Sequence, residues 1–299
     1  MFKIICLRSL LLTSIAFISL CGKAQPVVNS VQEEETAIGK LMVQIAGRPG
    51  FDELNRLNTE VLFRLKSILS APESFSYPFD SLKHIGKVVS PDNNWKLYTW
   101  NIPLPGGYHK IFGLLQVKRD KVSPSVTYEL IDSRTKIFTS MGQTLTPQQW
   151  YGTLYYQTVK KKADGRVYYT LIGVDPNDMF TSKRVIDVLY FDEQGNPQFG
   201  APIFDNGKRK FSRIIFEYSA KVSMVMRYVP ESDMIIFDHL SPSEPRYSND
   251  YRFYGPDFSY DGFKFEKGRW LLYSDLDMRN AERPKPKKKP VVEYDPIKP

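Results

Sequence analysis

Of the 299 residues only two are cysteines, Cys6 and Cys21, and both fall within the first 24 positions. If that leader is removed no thiol remains, which excludes disulfide staples, thiolate catalysis and cysteine-held metals. Histidine is nearly as scarce. His84, His109 and His239 stand far apart with no His-x-x-x-His pair, so a zinc site is not expected, nor is any cofactor. The chain has no Gly-x-Ser-x-Gly elbow to activate a serine. It also has no phosphate-cradling loop, because Pro105-Gly106-Gly107 reads as a turn. The apolar run at 10–20 is shorter than the ~20 residues of a membrane span.

What the first residues do contain is an export signal: Lys3 and Arg8, then the apolar run, then Gly22-Lys23-Ala24 as a small-x-small cleavage site. Cleavage after Ala24 makes residues 1–24 a signal peptide and leaves a mature chain of 275 residues (299 minus 24). A rival reading makes Cys21 a lipid-modified first residue, but Leu20 stands where bacterial lipoprotein signals carry a small residue. The expected location is the periplasm or outer envelope. The charge balance agrees with that. Removing Lys3, Arg8 and Lys23 takes the formal +8 to +5, and residues 279–299, with seven basic and three acidic side chains, carry +4 of it. The body is therefore close to neutral, and an exported chain whose charge sits in a tail is not a nucleic-acid binder. That tail alternates proline with lysine (Arg283-Pro284-Lys285-Pro286-Lys287) and is expected to be extended and disordered. Each basic residue would contribute about 1 kcal/mol near an anionic surface, which makes weak contact with acidic surfaces its one expected interaction.

Two helices are expected within residues 25–84. The first covers 31–47, with Glu33, Glu34 and Glu35 in its first turn, where the helix dipole favours acid. The second covers 52–69, capped by Asp52 and carrying Leu54, Leu57, Val61, Leu65, Ile68 and Leu69 along one stripe. From residue 85 to 278 the pattern becomes strands: 85–90, 95–102, 108–118, 126–131, 152–161, 166–175, 183–192, 210–219, 221–229, 233–240, 261–266 and 270–276, with a short helix at 146–151. Asp164-Gly165 supplies the positive φ values of a tight hairpin. Consecutive short strands without helical crossovers make the chain mainly β, an antiparallel meander after two N-terminal helices. A curled sheet, an open barrel, a sandwich and an incomplete propeller all satisfy the pattern.

For chemistry, Asp175-Pro176-Asn177-Asp178 offers oxygens but lacks the acid spacing of a calcium loop. Asp238-His239 with Ser241 has the residue types of a triad, yet neighbours on a strand point to opposite faces. Two carboxylates suffice for glycan hydrolysis, and Asp238, Asp257 and Asp261, with His239, are the candidate catalytic groups. Candidate binding residues are aromatic: Trp100, Tyr254, Phe258 and Tyr260, most of them in a block where rings interleave with Asp, Gly and Pro.

Residues 90–100 (SPDNNWKLYTW), Tyr168-Tyr169, Phe237-Asp238-His239 and Tyr254-Gly255-Pro256-Asp257 resemble recurring features of an uncharacterised exported, β-rich protein family of Bacteroidetes-type bacteria. The resemblance covers roughly 85–278, implies an envelope location, and brings no catalytic residue with it. The functional expectation is an exported cell-envelope protein with a non-catalytic binding or structural role toward a polymer or protein partner. The alternative is a carboxylate-based hydrolase of glycan or peptidoglycan.

Overall fold

The computed structural model describes residues 28–119, 125–137 and 140–277. The expected signal segment and the lysine-rich tail lie outside them. Helix α1 (Val28–Ala46) and helix α2 (Phe51–Leu69) come first. Their starts differ from the expectation. Helix α1 begins early enough that its first turn holds no acid, and Glu35 turns inward to accept from the Tyr77 hydroxyl and the Ser81 N–H, both at 2.7 Å. Dipole attraction, worth under about 1 kcal/mol, does not override that packing. Helix α2 is capped by Gly50 with no side-chain bond, so Asp52 is not the cap; it sits inside the first turn beside Glu53. The expected stripe is buried in full, from Leu54 to Leu69.

The first sheet is β1 (Gly86–Val89), β2 (Trp95–Pro103), β3 (His109–Lys118) and β4 (Ser125–Ile131) in sequence order. The central sheet holds β5 (Leu154–Ala163), β6 (Arg166–Asp175) and β7 (Thr181–Phe191), with β8 (Pro197–Phe199) beside β7. The chain then crosses to a third sheet for β9 (Phe204–Asp205) and β10 (Lys210–Phe211). It returns to pair β11 (Ile214–Ser219) with β7, then completes the third sheet with β12 (Met226–Val229), β13 (Met234–Pro242), β14 (Tyr254–Glu266) and β15 (Arg269–Tyr273). Among the described residues the named strands pair antiparallel except where β15 meets β9, and Asp132 forms an isolated parallel bridge with Trp150. One sheet curls into a half-barrel.

Alternation assigns the faces. On β2, Trp95 and Leu97 face the central sheet, while Tyr98, Trp100 and Ile102 face the helices. On β7, Val185 and Leu189 face the first sheet, and Ile186 and Val188 face the third. The molecule is thus four layers, helices and three sheets, with a core between each neighbouring pair. A sheet covered on both faces loses the polar alternation of a half-exposed one, which explains the apolar runs of β6 and β7. The Asp164-Gly165 turn is as expected: Ala163 pairs with Arg166, and the two loop residues take φ of 50° and 76°.

Several strand limits move. The expected strand 210–219 breaks at Ser212-Arg213, whose N–H groups bond the Met141 carbonyl, so Arg213 enters the core and its two halves join different sheets. The expected strand 221–229 shortens to β12, because 220–225 turn back on themselves with Val222 N–H on Ser219 O. Strand β14 starts seven residues earlier than expected, at Tyr254, and pairs with β13 through a register shift between Asp238 and Leu240. The expected helix at 146–151 is a single 3-10 turn, Pro147–Gln149.

Candidate functional site

An open cleft of about 420 Å³ runs along β11, the edge strand of the central sheet, and takes residues from both faces of that strand. From the central sheet come Lys183, Ile215 and Glu217, on the face that carries Val185, and Phe216 on the other face; Leu240, Tyr251 and Tyr254 come from the third sheet and the turn before β14, and Ser140, Met141 and Tyr151 complete the lining. Strand pairing sets the two charges side by side, because Lys183 and Glu217 are register partners. Their nearest atoms are 3.5 Å apart. Glu217 is oriented from behind: Asn177 Nδ2 donates to Thr181 Oγ1 at 2.6 Å, and that hydroxyl donates to Glu217 Oε1 at 2.7 Å. The two tyrosines stand at 53° with centroids 5.1 Å apart, and the Tyr254 hydroxyl accepts the Asn249 N–H at 3.1 Å. Two larger hollows on the helices, of about 470 and 630 Å³, are less site-like. One is built from α2 and the residue that follows it, and the other has no Tyr, Phe or Trp on its wall.

A buried ionic layer lies behind the cleft. Arg134 pairs with Asp175 and, at 3.0 Å, with Asp132. Burial raises the Asp175 carboxyl above its ordinary range despite the Arg134 charge beside it. Burial likewise pushes the Tyr151 hydroxyl well up, with Asp175 adding to the effect, so it stays protonated. Arg213 sits over the Tyr151 ring at 5.5 Å and donates to the Ser140 carbonyl at 2.7 Å, joining two wall residues to the interior.

The residues singled out in sequence divide sharply. Tyr254 lines the cleft. Trp100 does not reach solvent. It is buried against α2, its indole N–H on Asn58 Oδ1 at 2.8 Å and its ring stacked on Phe112, so its place is core and the expectation of ligand contact is corrected. Tyr260 is half-buried opposite Asp238 and is absent from the cleft wall. Phe258 is 96% exposed at φ 72°, held there because Asp257 accepts from both the N–H and the hydroxyl of Ser259. A bulky residue in the left-handed region costs about 1–2 kcal/mol. Phe258→Gly, which keeps the turn and removes that strain, is expected to raise stability by about 0.5 kcal/mol after glycine's own entropic cost. A clear loss of stability in urea would mean that the ring packs on something.

Three of the four catalytic candidates do meet. His239 Nδ1 bonds Asp261 Oδ2 at 2.8 Å, and its Nε2 lies 3.9 Å from Asp257 Oδ2. Asp238 points elsewhere, accepting the Val225 N–H at 2.7 Å. None of the four lines the cleft. The bond to Asp261 raises the His239 pKa, aided by the charges of Asp261, Asp257 and Asp275 and opposed by partial burial. A group with a raised folded pKa contributes stability below its unfolded value of about 6.5 and loses it as pH climbs through the folded value. His239→Gln should therefore cost most stability near pH 5.5 and progressively less toward about pH 9. A urea-midpoint difference that stays constant over that range would show that the imidazolium is not the stabilising species.

Sequence reasoning missed Lys183, Glu217, Tyr251 and Tyr151, because nothing local marks residues that are far apart in the chain and meet only after folding. The register of β7 against β11 was the available signal for the first pair. Among the described residues no group of three or more His, Cys, Asp or Glu is arranged to hold a metal, and no helix is long and apolar enough to cross a membrane. No family model, curated protein or solved structure matches the chain.

Proposed function

We propose that the protein is an exported cell-envelope component that binds an envelope polymer in the cleft without changing it chemically. The observation that carries this reading is the cleft's composition, two angled tyrosine rings in the same lining as one acceptor and one donor, Glu217 and Lys183. Such sites hold ligands through apolar faces and orient them with a few polar groups. The leader sequence and the family resemblance support the envelope as the setting. Hydrolysis by paired carboxylates has less behind it. The imidazole of His239 lies between Asp257 and Asp261, occupying the space a water or glycosidic oxygen would need, and the cleft wall itself carries a single carboxylate, Glu217.

The test is co-sedimentation of the mature chain with isolated envelope polymer. Tyr254→Ala removes a stacking face worth about 1.5–3 kcal/mol and should weaken capture roughly 10- to 100-fold. Equal capture of wild type and variant, or capture of envelope proteins alone, would overturn the polymer reading. Shortening of the polymer during incubation would overturn the non-catalytic one.

A further inference from the structure

The charges in the cleft narrow the class of polymer. Lys183 and Glu217 stand as a matched pair at 3.5 Å, each only partly exposed. A ligand carboxylate seated on Lys183 would lie beside Glu217, with Asp175 in the layer behind. A ligand ammonium seated on Glu217 would meet Lys183, with Arg134 behind it. Either arrangement buries like charges together, and burying a charge without a clean partner is costly. Neighbouring hydroxyls avoid both conflicts. One O–H donates to Glu217, whose Oε1 is already engaged by Thr181, and an adjoining oxygen accepts from the Lys183 ammonium.

The rest of the wall fits the same ligand. The Tyr254 ring is half-buried, packed on the core and 5.1 Å from the Tyr251 ring, and its exposed part is the apolar surface offered to the C–H face of a sugar. Tyr251, tilted by 53°, closes the angle as a second wall. The volume of about 420 Å³ is near the low end of ligand sites, enough for a short stretch of chain. We infer that the cleft takes the uncharged sugar units of a neutral polysaccharide, with Lys183 and Glu217 gripping adjacent hydroxyls and Tyr254 stacking on the ring. This inference rests on the polymer-binding reading above.

Affinity electrophoresis tests it. The mature chain is run through native gels containing dextran, a mixed-linkage β-glucan, a mannan or a xylan, and in parallel through polygalacturonate and polylysine. At least one neutral polymer should retard the protein and polylysine should not, while any retardation by polygalacturonate should come from the basic tail and be unchanged in the two cleft variants Lys183→Met and Glu217→Gln. Glu217→Gln and Lys183→Met, each checked for an unchanged near-ultraviolet circular dichroism spectrum, should weaken the neutral interaction about tenfold or more, the loss expected for one charge-assisted hydrogen bond. Retardation only by polygalacturonate or polylysine would overturn the inference, as would no retardation by any neutral polymer. Wild-type affinity in both variants would overturn it too. Failure of the two readings is separable. Capture of an acidic envelope polymer that Lys183→Met abolishes refutes the neutral ligand and leaves polymer binding standing, whereas capture of no envelope polymer refutes both.

Discussion

Replacing Asp187 by alanine should lower the unfolding free energy by about 3–5 kcal/mol, the cost of leaving a buried charge without its counterion. Asp187 and Arg213 are both completely buried, with Oδ1 and Nη2 2.9 Å apart. They belong to a chain of groups that crosses the core between the first and central sheets. Trp150 Nε1 donates to the Tyr155 hydroxyl at 3.2 Å, which donates to Asp187 Oδ2 at 2.9 Å; Arg213 continues the line to the Ser140 carbonyl. Arginine cannot shed its proton to escape, so in the single mutant the guanidinium stays charged inside the protein. The double mutant Asp187→Ala with Arg213→Met removes both charges and should recover most of the loss. Urea titration of the two single mutants and the double mutant measures the coupling. A loss below about 1 kcal/mol for Asp187→Ala would show that water reaches Arg213, contrary to its burial.

Trp270→Ala should cost about 3–5 kcal/mol, as large-to-small changes of buried aromatics do. Trp270 is fully buried between the central and third sheets, donating from Nε1 to Thr170 Oγ1 at 2.9 Å and packing edge-on against Phe265 at 5.2 Å. It also helps hold a cation. The Lys161 ammonium, paired with Asp233, lies over three rings, Tyr228 at 5.7 Å, Phe265 at 5.3 Å and Trp270 at 5.4 Å. The largest of these rings is therefore part of both the apolar core and the pin that fastens β5 to the third sheet. Trp270→Phe keeps a ring but loses the donor and some volume, so about half the penalty is expected. If phenylalanine costs as much as alanine, the Thr170 bond and not packing dominates; if alanine costs under about 1 kcal/mol, the two sheets are held elsewhere.

The candidate site was only partly legible before folding. Tyr254 could be picked out because rings interleaved with Asp, Gly and Pro mark a loop-rich corner. Trp100 carried the same kind of signal and is core, since a tryptophan on a strand reads alike whether its face meets solvent or a helix. His239, Asp257 and Asp261 could be nominated by residue type. Their meeting depends on the register shift between Asp238 and Leu240, and no local pattern announces a shift in register.

The residue order alone determined the class of the molecule: two helices, the second from a 3.6-residue apolar stripe, then short runs of strand-forming residues set apart by turn residues, with Asp164-Gly165 turning the central hairpin. Those are short-range properties, set by steric preference and by which face must leave water. Tertiary structure alone decided that 210–219 would divide between two sheets, that Arg213 would find Asp187, and that Lys183, Glu217, Tyr251 and Tyr254 would share one cleft. These outcomes depend on contacts between residues far apart in the chain, and their energies exist only once the sheets have stacked and excluded water from between them.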